Sequence, residues 1–274
     1  MYGIYTIWIM GGEMKMQFTN PSILSDWLAP HSIEWYKQLS KLQNGYKYTW
    51  SSTLTEPNGE SIFDKEVSSN IKNKIVLDVG CGHGEFTIQN SAHAQRIVGF
   101  DVTNDFIGLG KENEKLNVSF VVGNTKQGFP FGAEEFDFAY NRKGPTSAYL
   151  SLNKVVKKGG GILGLHPGDE SGKELALLFP NFFEKSEGTP VLDAIEQRLE
   201  MSNLTHSELE VVNSIEYLHS PEDVIKLRCF GQKFRLYHAM KEENLSEITK
   251  VFEQSATENG LPITFSRYIV RAFV

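Results

Sequence analysis

Three glycines at alternate positions mark the stretch VLDVGCGHGEFT, residues 76–87, as a candidate ligand site. Gly80, Gly82 and Gly84 follow an apolar run that carries one carboxylate, Asp78. A buried strand that turns through glycines into a helix presents backbone N–H groups and the positive end of the helix to a ligand. This arrangement predicts a small-molecule site at the end of a strand.

The glycine spacing separates this loop from two phosphate-binding loops. A Walker A loop requires G-x-x-x-x-G-K-[ST], and no lysine follows these glycines. The dinucleotide fingerprint is G-x-G-x-x-G, whereas here Glu85 stands where its third glycine belongs. The carboxylate of Asp78 would meet a diphosphate badly and suits a ligand with an ammonium group. A dinucleotide-dependent oxidoreductase is therefore disfavoured, and NAD is not expected to bind.

Residues 78–84, with the sequence DVGCGHG, resemble the first motif of the class I S-adenosylmethionine (SAM)-dependent methyltransferases. The resemblance implies that the bare backbone lies close to SAM, or to its product S-adenosylhomocysteine (SAH), and that Asp78 serves the amino-acid end. Asp101, at the end of the next predicted strand, corresponds to the acid that the family places on the ribose hydroxyls. The cofactor-binding residues that the resemblance implies are Asp78, Gly80, Cys81, Gly82, Gly84, Asp101, Val102, Asn124, Thr125 and Asn141.

Two positions depart from the patterns of such enzymes. Asn124 stands where the family often has an aspartate near the adenine amine, and its side-chain oxygen still accepts a hydrogen bond from that amine. Nucleic-acid amino-methyltransferases carry an Asn-Pro-Pro-aromatic motif after the fourth strand. Here Asn141 is present, but the prolines and the aromatic residue are not. The second departure disfavours methylation of nucleic-acid bases.

The acceptor side offers fewer candidates. Methyl transfer needs alignment of the reacting atoms, exclusion of water and, for some nucleophiles, removal of a proton. His166, after the fifth predicted strand, is a candidate general base, with a histidine hydrogen-bonded into a turn as the alternative. Arg142 is a candidate contact for an acidic acceptor group or a solvated loop residue. Tyr46 and Trp50 are candidates for cation–π contact with the sulfonium or for packing on the sheet.

From residue 75 onward, strand-like and helix-like segments alternate, which predicts an α/β domain. The resemblance implies a Rossmann-like, seven-stranded, mainly parallel sheet with helices on both faces and an antiparallel last strand. The predicted strands are residues 75–79, 96–101, 118–123, 136–140, 162–166, 211–218 and 263–274. The predicted helices include residues 105–114, 146–156, 221–228 and 245–258, and the run KKGGG at 157–161 is expected to form a turn.

The whole chain, residues 1–274, is expected to form a single methyltransferase domain. Residues 14–70, rich in aromatic side chains, are predicted as a helical cap. Residues 71–274 are predicted as the SAM-binding core, with a helical insertion over residues 169–210. Residues 1–13 are either a translated leader, with Met14 or Met16 as the natural start, or a short segment packed on the surface.

Composition narrows the function classes. The net charge of −7 disfavours a dedicated nucleic-acid binder, because phosphate contacts need clusters of lysine and arginine. Cys81 and Cys229 lie far apart and give no metal-ligand spacing, so no metal is expected and a reducing cytoplasm fits. The favoured function is a cytoplasmic methyltransferase for a small-molecule acceptor, with no membrane partner. An RNA or protein methyltransferase and a non-catalytic SAM-binding protein stay open, and the oligomeric state is not predicted.

Overall fold

One mixed sheet organises the chain. The computed structural model describes residues 18–43, 45–113 and 115–274, and within them eight strands pair in the order β1-β7-β8-β6-β5-β2-β3-β4. Neighbours among β2 to β6 are parallel, β8 is antiparallel to both β6 and β7, and β1 is antiparallel to β7. The mainly parallel, Rossmann-like sheet with an antiparallel last strand is therefore confirmed. The strands are β1 (Ser52–Leu54), β2 (Ile75–Val79), β3 (Arg96–Asp101), β4 (Val118–Val122), β5 (Phe136–Arg142), β6 (Val156–Pro167), β7 (His206–Leu218) and β8 (Leu261–Phe273).

Helices cover both faces of the sheet. Over the described ranges they are α1 (Ile33–Gln43), α2 (Gly59–Asn70), α3 (Glu85–Asn90), α4 (Asn104–Glu112), α5 (Tyr149–Val155), α6 (Lys173–Leu178), α7 (Pro190–Met201), α8 (Pro221–Arg228) and α9 (Phe234–Ser255). Apolar side chains of α2, α3 and α4 form one core with the sheet. Those of α5 and α7 form a second core on the opposite face. Short 3-10 turns occur at Pro21–Ile23, Thr125–Gln127 and Thr146–Ala148.

Local sequence explains the elements next to the glycine loop. β2 and β3 are apolar runs whose inner residues are buried, as strands covered on both faces require. α2 begins after Asn58, whose side chain accepts the backbone N–H groups of Glu60 and Ser61. Phe63 and Val67, one turn apart on α2, are fully buried against the sheet. These elements therefore fix the positions of the strand ends that surround the loop.

A cap lies beyond the carboxyl ends of the parallel strands. β6 pairs with β8 as far as Pro167 opposite Arg267, whereas β7 continues to pair with β8 up to Leu218 opposite Leu261. This extension of β7 and β8 carries a third core, which contains Val224 of α8 and Met240 of α9. α6, α8 and α9 consequently cover the edge of the sheet at which ligands bind in open α/β folds.

The sheet has one strand more than the seven predicted. Ser52–Leu54 lies in the region predicted as a helical cap, and it pairs with residues 216–218 of β7. A strand of three residues is too short to show an alternating pattern, and its position is fixed by the partner edge. The predicted leader, residues 1–13, lies outside the described residues. No helix in the described ranges is both long and apolar enough to cross a lipid bilayer.

Two other segments differ from the predictions. β6 starts at Val156, so the lysine-glycine run is not a turn between a helix and a strand but an irregular part of β6. Pairing steps from Val156 opposite Phe136 to Gly161 opposite Phe138, and the intervening residues bulge out. The predicted insertion contains α6 and α7 but ends earlier, because β7 already begins at His206.

Candidate active site

The three loop glycines are required for different reasons. All have positive φ, +73° at Gly80, +56° at Gly82 and +79° at Gly84. A Cβ on Gly80 would lie 2.6 Å from the Cα of Gly144, and one on Gly84 would overlap the ring of Phe120. A Cβ on Gly82 would meet nothing within 4 Å. The first and third glycines are therefore needed for packing, and Gly82 leaves open space where a ligand can approach the backbone.

Asp101 fixes the loop from the end of β3. Its Oδ2 accepts the backbone N–H of Gly82 at 3.0 Å, and its Oδ1 accepts that of Thr103 at 2.8 Å. Burial raises the pKa of Asp101, and the backbone N–H groups oppose this shift. Each carboxylate oxygen can accept more than one hydrogen bond, so Asp101 keeps acceptor capacity for hydroxyl donors of a ligand. Val102 beside it is 43% exposed and offers apolar surface at the same strand end.

Asp78 points into the protein rather than toward the open side of the loop. It is 2% exposed, and its Oδ2 accepts the hydroxyls of Thr87 at 2.6 Å and Tyr140 at 2.8 Å. Burial raises the pKa of Asp78 to about 7, although the two hydroxyl hydrogen bonds lower it. In the structure the carboxylate ties β2 to α3 and β5, and its contact with the amino-acid end of a cofactor stays a prediction.

The remaining predicted cofactor residues lie at the ends of β4 and β5. Asn124 Oδ1 accepts the backbone N–H of Lys126 at 3.0 Å and caps the 3-10 turn that follows. The hydroxyls of Thr125 and Ser147 share a buried hydrogen bond of 2.7 Å, which joins these two strand ends. Cys81 lies between the glycines of the loop and has its pKa raised by burial.

Asn141 is fully buried and closes the turn after β5. Its Oδ1 accepts the N–H of Gly144 at 2.8 Å, and its Nδ2 donates to the carbonyl of Pro145 at 3.0 Å. The turn that it closes packs against Gly80 of the glycine loop. Asn141 therefore shapes the turn beside the loop, and its contact with the cofactor stays a prediction.

Arg142 is engaged by carboxylates of α2. Its Nε donates to Asp64 Oδ1 at 2.8 Å, and its Nη2 donates to Glu60 Oε2 at 3.1 Å. The guanidinium also lies 4.8 Å from the centre of the Phe86 ring. The structure therefore gives Arg142 ion pairs that join β5 to α2, and its contact with an acidic acceptor group stays a prediction.

Glu60 is the centre of a charged cluster that the sequence did not single out. Besides Arg142, it accepts hydrogen bonds from Lys143 Nζ at 3.0 Å and Arg267 Nη2 at 2.9 Å. Burial raises the pKa of Glu60, but the charges of Lys143, Arg267 and Arg142 outweigh burial and lower the pKa to about 2. In the sequence, Arg267 inside the apolar run of β8 indicates such a cluster, because a charge in a buried strand needs a partner of opposite charge.

His166 lies in the core and not at the mouth of the site. It is 1% exposed, and its Nε2 shares a hydrogen bond of 2.8 Å with the Tyr149 hydroxyl. Burial lowers the pKa of His166 to about 3, and the charge of Arg198 adds to this shift. Its neighbour Leu165 faces α2, so the alternation of the strand turns the imidazole toward α5. Burial and the lowered pKa give no support to a general base at this position, and that role stays an untested prediction.

Aromatic side chains of residues 46–50 cover the glycine loop. Tyr46 packs edge-on against Trp35 and Phe230, and its backbone N–H donates to His83 Nδ1 at 3.3 Å. The ring of Tyr48 lies 4.4 Å from that of Trp50. Trp50 Nε1 donates to Glu216 Oε1 at 2.8 Å, which anchors the segment to β7. Tyr46 and Trp50 thus pack on neighbouring side chains, and a cation–π contact with the sulfonium stays a prediction.

Part of the chain, including the glycine loop, is similar to a known protein family. Residues 76–160 match the model of a methyltransferase domain family. No curated protein matches the chain. A functionally unknown protein from Deinococcus radiodurans R1 is 20% identical, with a TM-score of 0.59, over 88% of this chain and 97% of that protein. The YcgJ protein from Bacillus subtilis is 18% identical, with a TM-score of 0.52, over 78% of this chain and 98% of that protein. The two structural matches show a shared fold.

Proposed function

We propose that the chain is a SAM-dependent methyltransferase for a small-molecule acceptor, because residues 76–160 match the model of a methyltransferase domain family. The methyl group passes from the sulfonium to an oxygen, nitrogen or carbon nucleophile by in-line displacement. The observation that carries the proposal is the pairing of Gly82 and Asp101. The open backbone of Gly82 lies 3.0 Å from a carboxylate that keeps acceptor capacity for ribose hydroxyls.

The residues around the loop fit SAM in type and position. SAM, when bound, supplies a methyl group that is already activated by its positive sulfur. The chain has to bind, orient and dehydrate the reacting groups. Asp101 would bind the ribose of SAM, and Val102 and Thr125 would line the adenine side. The backbone N–H groups of the glycine loop would hold the remaining part of SAM. The aromatic cover at residues 46–50 excludes water from the same place.

A small-molecule acceptor agrees with the cap. α6, α8 and α9 and the aromatic segment lie over the edge of the sheet, which favours an acceptor that fits beneath them. The net charge of −7 gives no support to an RNA acceptor. We propose further that residues 14–70 and 71–274 act together as one domain.

Calorimetric titration with SAM, SAH and NAD tests the proposal. We expect SAM and SAH to bind in the micromolar range and NAD not to bind. Asp101→Asn should weaken SAH binding by about 10- to 100-fold, because hydrogen bonds to a charged acceptor contribute about 1.5–3 kcal/mol. Asp105→Asn is the matched control, since Asp105 lies outside the loop and, among the described residues, its carboxylate accepts a side-chain hydrogen bond only from Ser40, at 3.5 Å.

Two results would contradict the proposal. The first is SAH binding to Asp101→Asn that is as tight as to wild type. The second is binding of NAD in place of SAH to wild type. Wild type that binds SAH but methylates nothing in a metabolite mixture containing labelled SAM would favour the non-catalytic alternative.

A further inference from the structure

We propose that Lys143 Nζ and Tyr48 OH bind an anionic oxygen group of the methyl acceptor, a carboxylate or a phosphate. This inference rests on the proposed function and assigns the acceptor a chemical class. It rests on the hydrogen bonds that Lys143 makes, on the balance of charge around Glu60 and on the place of Lys143 beside the glycine loop.

Lys143 and Tyr48 together have donors to spare. Lys143 Nζ donates to Glu60 Oε1 at 3.0 Å and to Tyr48 OH at 3.3 Å. An ammonium group has three N–H donors, and the described residues accept two of them. Tyr48 OH accepts from Lys143 and retains its own proton to donate. One N–H and one O–H therefore stand side by side, a pairing that suits two oxygens of one anionic group.

The charges around Glu60 do not balance. Arg142, Lys143 and Arg267 all donate to Glu60, and in the described ranges the one other carboxylate that pairs with them is Asp64. Three positive charges thus face two negative ones. The side chains of the three cations are between 8% and 22% exposed. Because a charge removed from water needs a counter-charge, an anionic ligand would be stabilised here.

Lys143 is placed at the correct end of the site for an acceptor. It directly follows β5, and the turn that it begins packs on Gly80 of the glycine loop. Its backbone has φ of +63°, a left-handed conformation that is uncommon for lysine, and its N–H donates to Leu165 O at 2.7 Å. Such conformations persist where the surrounding structure enforces them, and they cluster at ligand-binding sites. Tyr48 belongs to the aromatic cover, so the anion would lie between the cover and the loop.

The carboxylate of SAM itself has the same chemistry as an acceptor carboxylate, and the test separates the two. Inorganic phosphate and acetate are titrated, at constant ionic strength, into protein saturated with SAH. Binding is followed by proton–nitrogen correlation spectra. The variants are Lys143→Met, Tyr48→Phe and the control Lys47→Met, which removes an exposed lysine of the same segment. Calorimetry gives the SAH affinity of each.

We expect saturable, millimolar binding of phosphate or acetate to the SAH-loaded wild type and to Lys47→Met. Lys143→Met should weaken it at least 10-fold and Tyr48→Phe at least threefold, with SAH affinity changed less than threefold. Wild type that binds SAH but neither anion would overturn the inference alone, as would anion binding unchanged in both variants. A loss of SAH affinity of 10-fold or more in Lys143→Met would assign the cluster to the cofactor and also overturn it. Failure of wild type to bind SAH would overturn the proposed function first.

Discussion

At the scale of single residues, the glycine loop separates packing from binding. Gly84 has no room for a side chain because Phe120 lies against it, whereas Gly82 has space on its open side. The Asp101 carboxylate accepts the backbone N–H of Gly82, and the Asp78 carboxylate joins β2 to α3 on either side of the loop. Stability and ligand binding should therefore respond differently to changes at neighbouring glycines.

Gly84→Ala and Gly82→Ala form a matched pair that tests this separation. Both alanines would adopt a left-handed backbone, which costs about 1 kcal/mol. Gly84→Ala also forces Phe120 to move, so we expect it to lose about 3 kcal/mol of unfolding free energy. Gly82→Ala should lose only about 1 kcal/mol but weaken SAH binding, because its methyl group enters the open space. Denaturant unfolding and calorimetry measure the two effects. Equal losses of stability in the two variants would contradict the account.

Glu60 gives the fold a dependence on acid. The pKa of Glu60 is lowered to about 2 in the folded state from an ordinary value of 4.5, so its ion pairs stabilise the fold fully above pH 4.5. This contribution, about 3 kcal/mol, is lost as the pH falls from about 4.5 toward 2. Glu60→Gln should remove that part of the pH dependence, while Glu34→Gln, at an exposed position of α1, should retain it. Denaturant unfolding across this range measures the slopes, and parallel slopes for wild type and Glu60→Gln would refute the prediction.

At this scale the motif predicted backbone positions better than side-chain directions. The spacing of the glycines and the acid at the end of the next strand place Asp101 at the loop, as the structure shows. The directions of Asp78 and His166 depend on which face of the sheet each strand residue occupies. Neither residue carries that information in its own type. Alternation from the buried Leu165 would have indicated the core-facing direction of His166.

At the scale of elements, side chains rather than propensity set several boundaries. Asp169, just after β6, accepts the backbone N–H groups of Val191 at 2.9 Å and Leu192 at 3.0 Å, at the start of α7. Its Oδ2 also accepts the hydroxyl of Tyr268 on β8 at 2.9 Å. One carboxylate thus starts a helix and joins it to two strands. Pro190 is the first residue of that helix, where a missing N–H costs nothing.

Asp169→Ala tests this capping role. Loss of the acceptor leaves two N–H groups of α7 without their partner, and we expect a loss of about 1–2 kcal/mol of unfolding free energy. Hydrogen exchange should rise in residues 190–201 before other helices. Asp193→Ala is the control, because within residues 18–43, 45–113 and 115–274 its carboxylate accepts only from the exposed hydroxyl of Thr189, at 2.9 Å. Unchanged exchange in α7 would contradict the role assigned to Asp169.

The order of strands and helices was predictable, and the irregular elements were not. Apolar runs such as that of β2 read directly as buried strands. β1 depends on an edge offered by β7, which is far away in the chain. The early start of β6 depends on pairing with Phe136, and four residues bulge out to permit it. Long-range pairing of this kind leaves little trace in local composition.

At the scale of the whole molecule, the cap and the sheet meet over one edge. β7 and β8 extend past β6 and carry α8 and α9 over the carboxyl ends of the parallel strands. Phe230, between these two helices, packs against Trp35 and Tyr46 from the other end of the chain. The aromatic segment therefore contacts the glycine loop at His83 and the charged cluster at Lys143.

A crystal structure of the protein crystallised with SAH would show directly whether the cofactor binds at the glycine loop and Asp101. We expect electron density for SAH at the carboxyl edge of the sheet. Both ribose hydroxyls should lie within hydrogen-bond distance of Asp101, and SAH should lie against the open side of the Gly82 backbone. The homocysteine sulfur should point toward the turn that follows β5, where Lys143 and Tyr48 stand. SAH bound elsewhere, or bound at the loop with Asp101 turned away from it, would contradict the account.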